Sequence, residues 1–202
     1  MTEPSSAPRV IEPILRRRSL RAFAADPLDE AEIRVLFEAA ALAPSSGNAQ
    51  PWRFVVTRRG AEAFSALGDT LRPSNRWALE APLLAATAVR SMHEHPTKPP
   101  KENRLALLEL GLAIGNVLTQ ATALGLIAHP VGGFDRDAAR RVLQIPPGWE
   151  LGVLLALGRP GDPERLDPDV RARELRPRER LAVSEFVFER HWGRPKYASS
   201  EG

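Results

Sequence analysis

Two short segments near the N-terminus carry the side chains best suited to chemistry. The first, at 16–21, reads Arg-Arg-Arg-Ser-Leu-Arg and places four arginines and a hydroxyl within six residues. Guanidinium groups form paired hydrogen bonds with phosphate oxygens and stay charged at physiological pH, so this segment could hold a phosphate. The second, at 43–52, reads Ala-Pro-Ser-Ser-Gly-Asn-Ala-Gln-Pro-Trp. Its hydroxyl and amide groups could line a flat polar ring.

Each segment also has a plain structural interpretation. A run of arginines is often the solvated end of a helix, and a Pro-Ser-Ser-Gly-Asn run is typical of a tight turn between a helix and a strand. A turn alone does not explain why hydroxyl, amide and proline side chains are so dense within ten residues. We therefore interpret both segments as candidate binding elements.

Apolar periodicity and turn residues predict the elements that position these segments. Predicted helices cover 10–17, 30–42 with Asp29 as N-cap, 60–67, 75–80, 105–124 and 136–143. Predicted strands cover 52–57, 82–89, 127–131 and 151–157. Loops are predicted at 90–103 and 158–176, with a loose arm at 1–9 and a tail at 184–202. Because strands and helices alternate without regular βαβ spacing, the sequence predicts a single α+β domain, 1–202.

The composition excludes several classes of function. The chain has no cysteine, which rules out disulfides, thiolate metal sites and a cysteine nucleophile. The net charge is +3, aromatic residues make up 6%, and no basic stripe alternates with aromatics, so we predict no nucleic-acid partner. The apolar stretch 105–126 contains Glu109 and predicts a core or interface helix, not a membrane span. His93 and His95 lack a third ligand, so no metal site is predicted.

The two N-terminal segments form a pattern with later parts of the chain. An Arg-Arg-Ser-x-Arg-x-Phe box followed, after one helix, by Ala-Pro-Ser-x-x-Asn-x-Gln-Pro-Trp resembles the N-terminal signature of the FMN-dependent nitroreductases, a family of NAD(P)H:acceptor flavin oxidoreductases. Stretches similar to the family follow in its order at 107–126, 129–135, 145–146, 155–160 and 177–181. The resemblance therefore extends through most of the chain.

This resemblance implies a fold and an assembly. The nitroreductase-like fold has a central, mostly antiparallel sheet flanked by helices, with a long central helix at the dimer interface. The family's sites lie between subunits, which implies a homodimer with shared FMN sites. The tail from 184 would then contact the partner subunit, and a cytoplasmic location is expected.

The resemblance also assigns FMN contacts residue by residue. Contacts to the phosphate, ribityl chain and pyrimidine edge fall to Arg17, Arg18, Ser19 and Arg21, with Arg178 and Arg180 closing on the phosphate. Contacts made from the other subunit fall to Pro44, Ser45, Ser46 and Asn48. Contacts along one ring face fall to Pro130, Val131, Gly132 and Gly133, with the Gly132 N–H directed at flavin N5. Glycine is expected there because it allows close approach of the backbone and tolerates positive φ.

The implied chemistry is hydride transfer from NADH or NADPH through flavin N5 to an electron-poor small molecule such as a nitroaromatic or a quinone. It requires no side-chain acid or base. Two alternatives stay open at this point. One is a specialised relative that destroys flavin, dehalogenates or dehydrogenates its substrate, and the other is a non-catalytic flavin-binding dimer.

Several positions depart from the family pattern. Glu109 stands where the family commonly has aspartate, and Gly115 stands where glutamine is frequent. The predicted loop at 90–103 replaces a longer helical lid, so the sequence leaves the substrate pocket undefined. His93 and His95 lie in that loop, where lid residues contact either solvent or substrate.

Four other residues carry separate expectations. Asn75 is a further candidate flavin contact. His129 is expected to be packed and hydrogen-bonded, without a catalytic role. Trp149 and Trp192 are expected to anchor the core or an interface, since large aromatic side chains contribute much of the energy of both.

Overall fold

A computed structural model describes residues 9–95 and 98–197, and the side chains of 93–95 and 98 are not among the described parts. The predicted arm at 1–9 and the end of the tail therefore lie largely outside the described residues. The helices are α1 (Glu12–Arg16), α2 (Glu30–Ala41), α3 (Glu62–Asp69), α4 (Ala106–Ala123), α5 (Arg136–Val142) and α6 (Pro168–Leu175). The strands are β1 (Trp52–Arg58), β2 (Leu83–Arg90), β3 (Met92–His95), β4 (Lys98–Glu102), β5 (Ile127–Val131) and β6 (Trp149–Gly158). Short 3-10 turns lie at Ser46–Asn48, Pro73–Glu80, Pro163–Arg165 and Val183–Glu185.

Four strands form the central sheet in the order β1–β2–β6–β5, and all three pairings are antiparallel. Alternate residues of β2 enter two different cores: Leu83 packs with α2 and α4, and Leu84 packs with α3 and α5. Helices thus cover both faces of the sheet, which explains why β2 is apolar along nearly its whole length. The predicted α+β fold with a mostly antiparallel sheet is confirmed.

The helix that carries the 43–52 segment is fixed at its start by a capping box. The Asp29 carboxylate accepts a hydrogen bond from the Glu32 N–H at 2.7 Å, and the Glu32 carboxylate accepts one from the Asp29 N–H at 3.0 Å. This exchange satisfies two of the backbone donors that every helix leaves free at its N-terminus. The prediction that Asp29 caps this helix is confirmed.

The long helix α4 was expected to be a core or interface helix. Among the described residues it is the helix long and apolar enough to cross a membrane, by length and composition alone, a test that buried core helices also pass. Here Leu110, Ala113 and Val117 are buried in the core beneath the sheet. Gly125, with φ of 73°, follows the last turn and ends the helix in the left-handed conformation.

Two predicted loops contain regular structure. The segment 90–103 forms the antiparallel pair β3 and β4, although β4 contains two prolines. A two-stranded ribbon tolerates proline because only one edge of each strand needs its N–H groups. The segment 158–176 contains α6, which begins with Pro168 at its first turn, where a missing N–H costs nothing. Burial of Val170 against the rest of the fold stabilises this helix despite its charged sequence.

Candidate functional site

Two segments that are far apart in the sequence form a cleft lined by arginines. Residues 17–21 form one wall, and residues 173, 174, 176–178 and 180 form the other. The cleft encloses about 220 Å³. The structure therefore brings Arg178 and Arg180 next to Arg17, as the resemblance implies, although these residues lie more than 150 positions apart in sequence.

Arginines outnumber carboxylates in the lining of this cleft, which includes one carboxylate, Glu174. Burial and then the neighbouring charges of Arg180 and Arg178 lower the pKa of Arg17. Within the described residues, none of Arg17, Arg18, Arg178 and Arg180 forms an ion pair. Like charges held together without a counter-charge destabilise the free protein, and a bound anion would relieve that repulsion. The cleft is thus suited to phosphate.

Hydrogen bonds from the arginines to backbone carbonyls join the two walls. Arg18 Nη2 donates to the Arg176 carbonyl at 2.6 Å, and Arg178 Nη1 donates to the Leu15 carbonyl at 2.7 Å. Arg17 Nη1 donates to Ser19 Oγ at 3.2 Å within the first wall. Each guanidinium retains further N–H groups for a ligand, because a guanidinium carries five.

Arg21 differs from the other arginines of the cleft. Its Nη1 lies 3.6 Å from a carboxylate oxygen of Glu174, and its guanidinium carbon lies 5.6 Å from the centre of the Trp77 ring. Burial lowers the pKa of Arg21, and the Glu174 charge opposes that effect. Neither Glu174 nor Trp77 was predicted from the sequence, because each is brought next to Arg21 by a distant element.

The 43–52 segment forms a strained turn between α2 and β1. Gly47, Asn48 and Gln50 have positive φ values of 58°, 55° and 45°. Ser45 Oγ accepts a hydrogen bond from the Gln50 N–H at 3.0 Å, which holds the turn closed. Pro44, Ser46 and Asn48 are exposed and do not line the arginine cleft of the same chain. That they contact a flavin across a dimer interface stays a prediction.

The buried side chain of Glu109 holds this turn in place. The carboxylate is 3% exposed, and it accepts a hydrogen bond from the Ser46 N–H at 2.7 Å and another from Asn103 Nδ2 at 2.8 Å. Glu109 therefore joins α4 to the turn and to the end of β4. In the sequence, Glu109 argued against a membrane span and departed from the family pattern, but its partners were not predicted. A charged residue inside an apolar helix was the available signal for a buried polar contact.

The third predicted part of the site is the segment 130–133, at the end of β5. Gly132 is exposed, and its N–H makes no hydrogen bond with any residue of the described chain. The Gly133 carbonyl accepts hydrogen bonds from the Arg72 N–H and from Asn75 Nδ2, both at 3.0 Å. Asn75 therefore supports the segment, and its own contact with flavin stays a prediction. Neither glycine has a positive φ, so close approach of the backbone is the reason for glycine that stays a prediction.

A family model now places this geometry among known proteins. The model described as "Nitroreductase family" matches residues 14–159. The chain belongs to the nitroreductase family. The match includes the arginine segment, the 43–52 turn and the 130–133 segment, and it ends before α6 and the second wall of the cleft. The predicted resemblance is confirmed, and with it the assignment to a family of oxidoreductases.

Individual relatives agree with this assignment. A 15.4 kDa protein of Mycolicibacterium smegmatis, named for its place in the ask 5' region, is 35% identical over 71% of this chain and 99% of its own length. The NADH dehydrogenase of Thermus thermophilus is 28% identical over 73% of this chain and 85% of its own. A crystal structure described as an oxidoreductase containing FMN has a TM-score of 0.87 and 29% identity, over 96% of this chain and all of the other.

The nitroreductase core leaves His129 buried beside the arginine cleft. Nδ1 donates to the Leu20 carbonyl at 2.9 Å, and the ring centre lies 4.3 Å from that of Trp77. Burial lowers the pKa of His129 to about 4, and the charges of Arg21 and Arg17 act in the same direction. The predicted packed, hydrogen-bonded histidine is confirmed.

We expect His129 to make folding sensitive to acid. The unfolded chain takes up a proton at His129 near pH 6.5, and the folded chain does so only near pH 4. Stability from this residue is therefore complete above about pH 6.5 and is lost as the pH falls towards 4, by about 3 kcal/mol in total. Urea unfolding at pH 7 and pH 4.5 measures this loss. His129→Gln should show a smaller loss than the wild type, and His191→Gln, at an exposed position, should match the wild type; equal losses in all three would contradict the assignment.

We also expect the two glycines of the 130–133 segment to respond differently to alanine. A Cβ at Gly133 would lie 2.3 Å from Asn75 Nδ2, the atom that donates to the Gly133 carbonyl, whereas a Cβ at Gly132 meets no atom within 4 Å. Gly133→Ala should lower the free energy of unfolding by about 1–2 kcal/mol through loss of this hydrogen bond. Gly132→Ala, as the control, should change it by about 0.5 kcal/mol or less. Equal effects in urea unfolding would show that Asn75 does not support the segment.

Proposed function

We propose that this member of the nitroreductase family is a homodimeric, FMN-dependent oxidoreductase that uses NADH or NADPH to reduce an electron-poor small molecule such as a nitroaromatic or a quinone. The observation that carries the proposal is the cleft of unbalanced arginines formed by Arg17, Arg178 and Arg180. The solvated end of a basic helix would not bring arginines from two distant segments of the chain into one partly buried cleft. The similar structure described as containing FMN supports the choice of cofactor.

The residues of this chain fit such a cofactor in two places. The arginines supply charged donors for a phosphate, and phosphate is the part of FMN that riboflavin lacks. The Gly132 N–H is exposed and has no hydrogen-bond partner in the described chain, so it can donate to a ring nitrogen. The chemistry supplied by bound FMN is hydride transfer at N5 from the nicotinamide donor to the acceptor. The protein then contributes binding, orientation and a place for the acceptor.

The homodimer is supported by apolar surface on the helices beside the site. Leu107, Leu108 and Leu112 on α4 are 62%, 60% and 41% exposed, and Ile11 and Ile14 on the neighbouring α1 are 58% and 52% exposed. Contiguous apolar surface of this kind marks an interaction site in most proteins. The proposal requires that a second copy over α4 bring its own 43–52 turn to this chain's site.

The C-terminal tail supports the same assembly. Trp192 is 92% exposed. Among the described rings it contacts only that of Phe188, in a tilted arrangement with 5.0 Å between ring centres. Phe186 is 57% exposed. Aromatic side chains left outside the core of a single chain are typical interface anchors. We therefore propose that the tail packs on the partner subunit, and that the enzyme works in the cytoplasm, where its nicotinamide donors are found.

Binding and turnover test the proposal together. The purified protein is saturated with FMN, freed of excess cofactor, and assayed for NADH and NADPH oxidation with and without a nitroaromatic or quinone acceptor. Acceptor-dependent oxidation by a flavin-containing dimer is the expected result. Retained flavin with no donor oxidation would favour the flavin-binding or substrate-dehydrogenating alternatives. A protein that retains no flavin would contradict the proposal.

A further inference from the structure

Glu174 is a buried carboxylate whose contacts all lead to the arginine segment. It lies in the last turn of α6, and its side chain is 3% exposed. Both of its oxygens accept from the Arg21 N–H at 2.9 Å, and one also accepts from the Ala22 N–H at 3.1 Å. Burying a carboxylate is costly unless its oxygens are hydrogen-bonded. Here one carboxylate holds two successive backbone N–H groups.

These contacts determine where the arginine segment leaves the cleft. Beyond Ala22 the chain follows the end of β6, where the Ala24 N–H donates to the Arg159 carbonyl at 3.0 Å and Phe23 pairs with Pro160. Before Arg21 the chain carries the cleft arginines. Glu174 therefore holds the backbone at the point where a fixed part of the fold meets the part that would bind the ligand. Arg18 also connects the two walls, because it donates a hydrogen bond to the Arg176 carbonyl.

The second wall of the cleft depends on the same contacts. Arg178 and Arg180 follow Glu174 by four and six residues, and residues 176–180, after the end of α6, contain no helix or strand. A displaced Glu174 would therefore let the walls separate, and the cations would no longer face one ligand. The family model ends at residue 159, so neither α6 nor Glu174 belongs to the matched part of the chain.

We propose that Glu174 is a positioning residue for the phosphate of the flavin cofactor: it holds residues 17–21 against 176–180 so that the arginines of both walls converge on one phosphate. The inference rests on the proposed function, because it takes FMN as the ligand of the cleft. Glu174 itself does not contact the phosphate, and its charge is opposite in sign to that of the arginines that would contact it.

The proposal is testable because a purely electrostatic effect of Glu174 and a positioning role predict opposite changes in phosphate binding. A carboxylate beside an anion site repels the anion, so its neutralisation should strengthen phosphate binding if only Coulomb forces matter. Glutamine keeps the shape of Glu174 but has one accepting oxygen, and its amide would face backbone N–H groups. The positioning role therefore predicts weaker phosphate binding in Glu174→Gln despite the more positive cleft.

The experiment compares FMN with riboflavin, because the ratio of their dissociation constants isolates the phosphate. Both ligands are titrated by fluorescence into the wild-type dimer and into Glu174→Gln, Glu174→Asp and Glu179→Gln, below the unfolding temperature of each. We expect the preference for FMN to fall about tenfold or more in Glu174→Gln, the size of a lost hydrogen bond to a charged group. Glu174→Asp, which keeps the charge and shortens the reach, should also lose preference and serves as the test if the glutamine variant does not fold.

Glu179→Gln is the matched control, because it removes the same charge from an exposed position between Arg178 and Arg180. Its preference for FMN should equal or exceed that of the wild type. A wild-type preference retained by Glu174→Gln, or by Glu174→Asp if the glutamine variant does not fold, would overturn the positioning role and leave the proposed function intact. A wild-type protein that does not prefer FMN to riboflavin would overturn both, because there would be no phosphate site to position.

Discussion

Replacing Arg17 by glutamate should weaken FMN binding by about 100-fold or more. The change removes a charge-assisted hydrogen bond worth about 1.5–3 kcal/mol and places a carboxylate beside the phosphate. Arg17 is partly buried, whereas Arg178 and Arg180 are exposed, and its pKa is lowered by burial and by the charges of Arg180 and Arg178. Titration of FMN fluorescence at fixed ionic strength measures the loss, and raising the salt concentration should weaken wild-type binding more than that of the variant.

Arg16 provides a matched control for this prediction. It precedes Arg17 directly, but its side chain is 64% exposed and lies 4.0 Å from Glu12 on the outer side of α1. Arg16→Glu makes the same change in net charge without entering the cleft, so its effect on FMN affinity should be severalfold at most. Equal losses in the two variants would show that only the overall charge matters. An Arg17→Glu variant that binds FMN as the wild type does would remove the cleft from the proposed site.

Replacing Glu109 by alanine should lower the free energy of unfolding by about 3 kcal/mol. The change leaves the Ser46 N–H and Asn103 Nδ2 without their acceptors. Asn103 is 5% exposed and the Ser46 hydrogen bond is partly buried, and an unsatisfied buried donor costs about 1–3 kcal/mol. The strained turn at 45–50 would also lose its anchor, so the Ser46 amide should exchange with solvent faster. Urea unfolding and amide hydrogen exchange measure these two effects separately.

The control for this prediction is Glu38→Ala, at an exposed position of α2. A surface glutamate of this kind should change the free energy of unfolding by about 0.5 kcal/mol or less. If Glu109→Ala were as mild as this control, the carboxylate would not be the anchor of the turn. Unchanged exchange at Ser46 in a destabilised variant would separate the two roles of Glu109.

The sequence was sufficient to predict those elements whose structure is determined by interactions between neighbouring residues. Asp29 and Glu32 form a capping box from neighbouring positions, and the apolar run at 82–89 identifies a strand covered on both faces. The ribbon of β3 and β4 was missed because its pairing depends on a register that proline-rich sequence does not reveal. The helix α6 was missed because burial of Val170 and Glu174 stabilises it, and burial is set by the rest of the fold.

The candidate site divides in the same way. The arginine segment and the 43–52 turn could be recognised because their residue types are dense and their spacing matches a known signature. Glu174 and Trp77 could not, since each reaches Arg21 from a distant element and neither lies in a distinctive motif. Glu109 was visible as a charge in an apolar helix, but its partners Ser46 and Asn103 follow only from the packing of α4. Residues that position a site are harder to predict from sequence than residues that contact a ligand.

An anaerobic titration of the FMN-loaded protein with NADH and, separately, with NADPH tests the central claim most directly. The flavin absorbance near 450 nm (an approximate value for the cofactor) reports the reductive step without interference from oxygen. The proposed function predicts that about one equivalent of at least one donor bleaches the bound flavin, and that a nitroaromatic or a quinone restores the absorbance. Bound flavin that keeps its absorbance with both donors would contradict the proposed reductase activity.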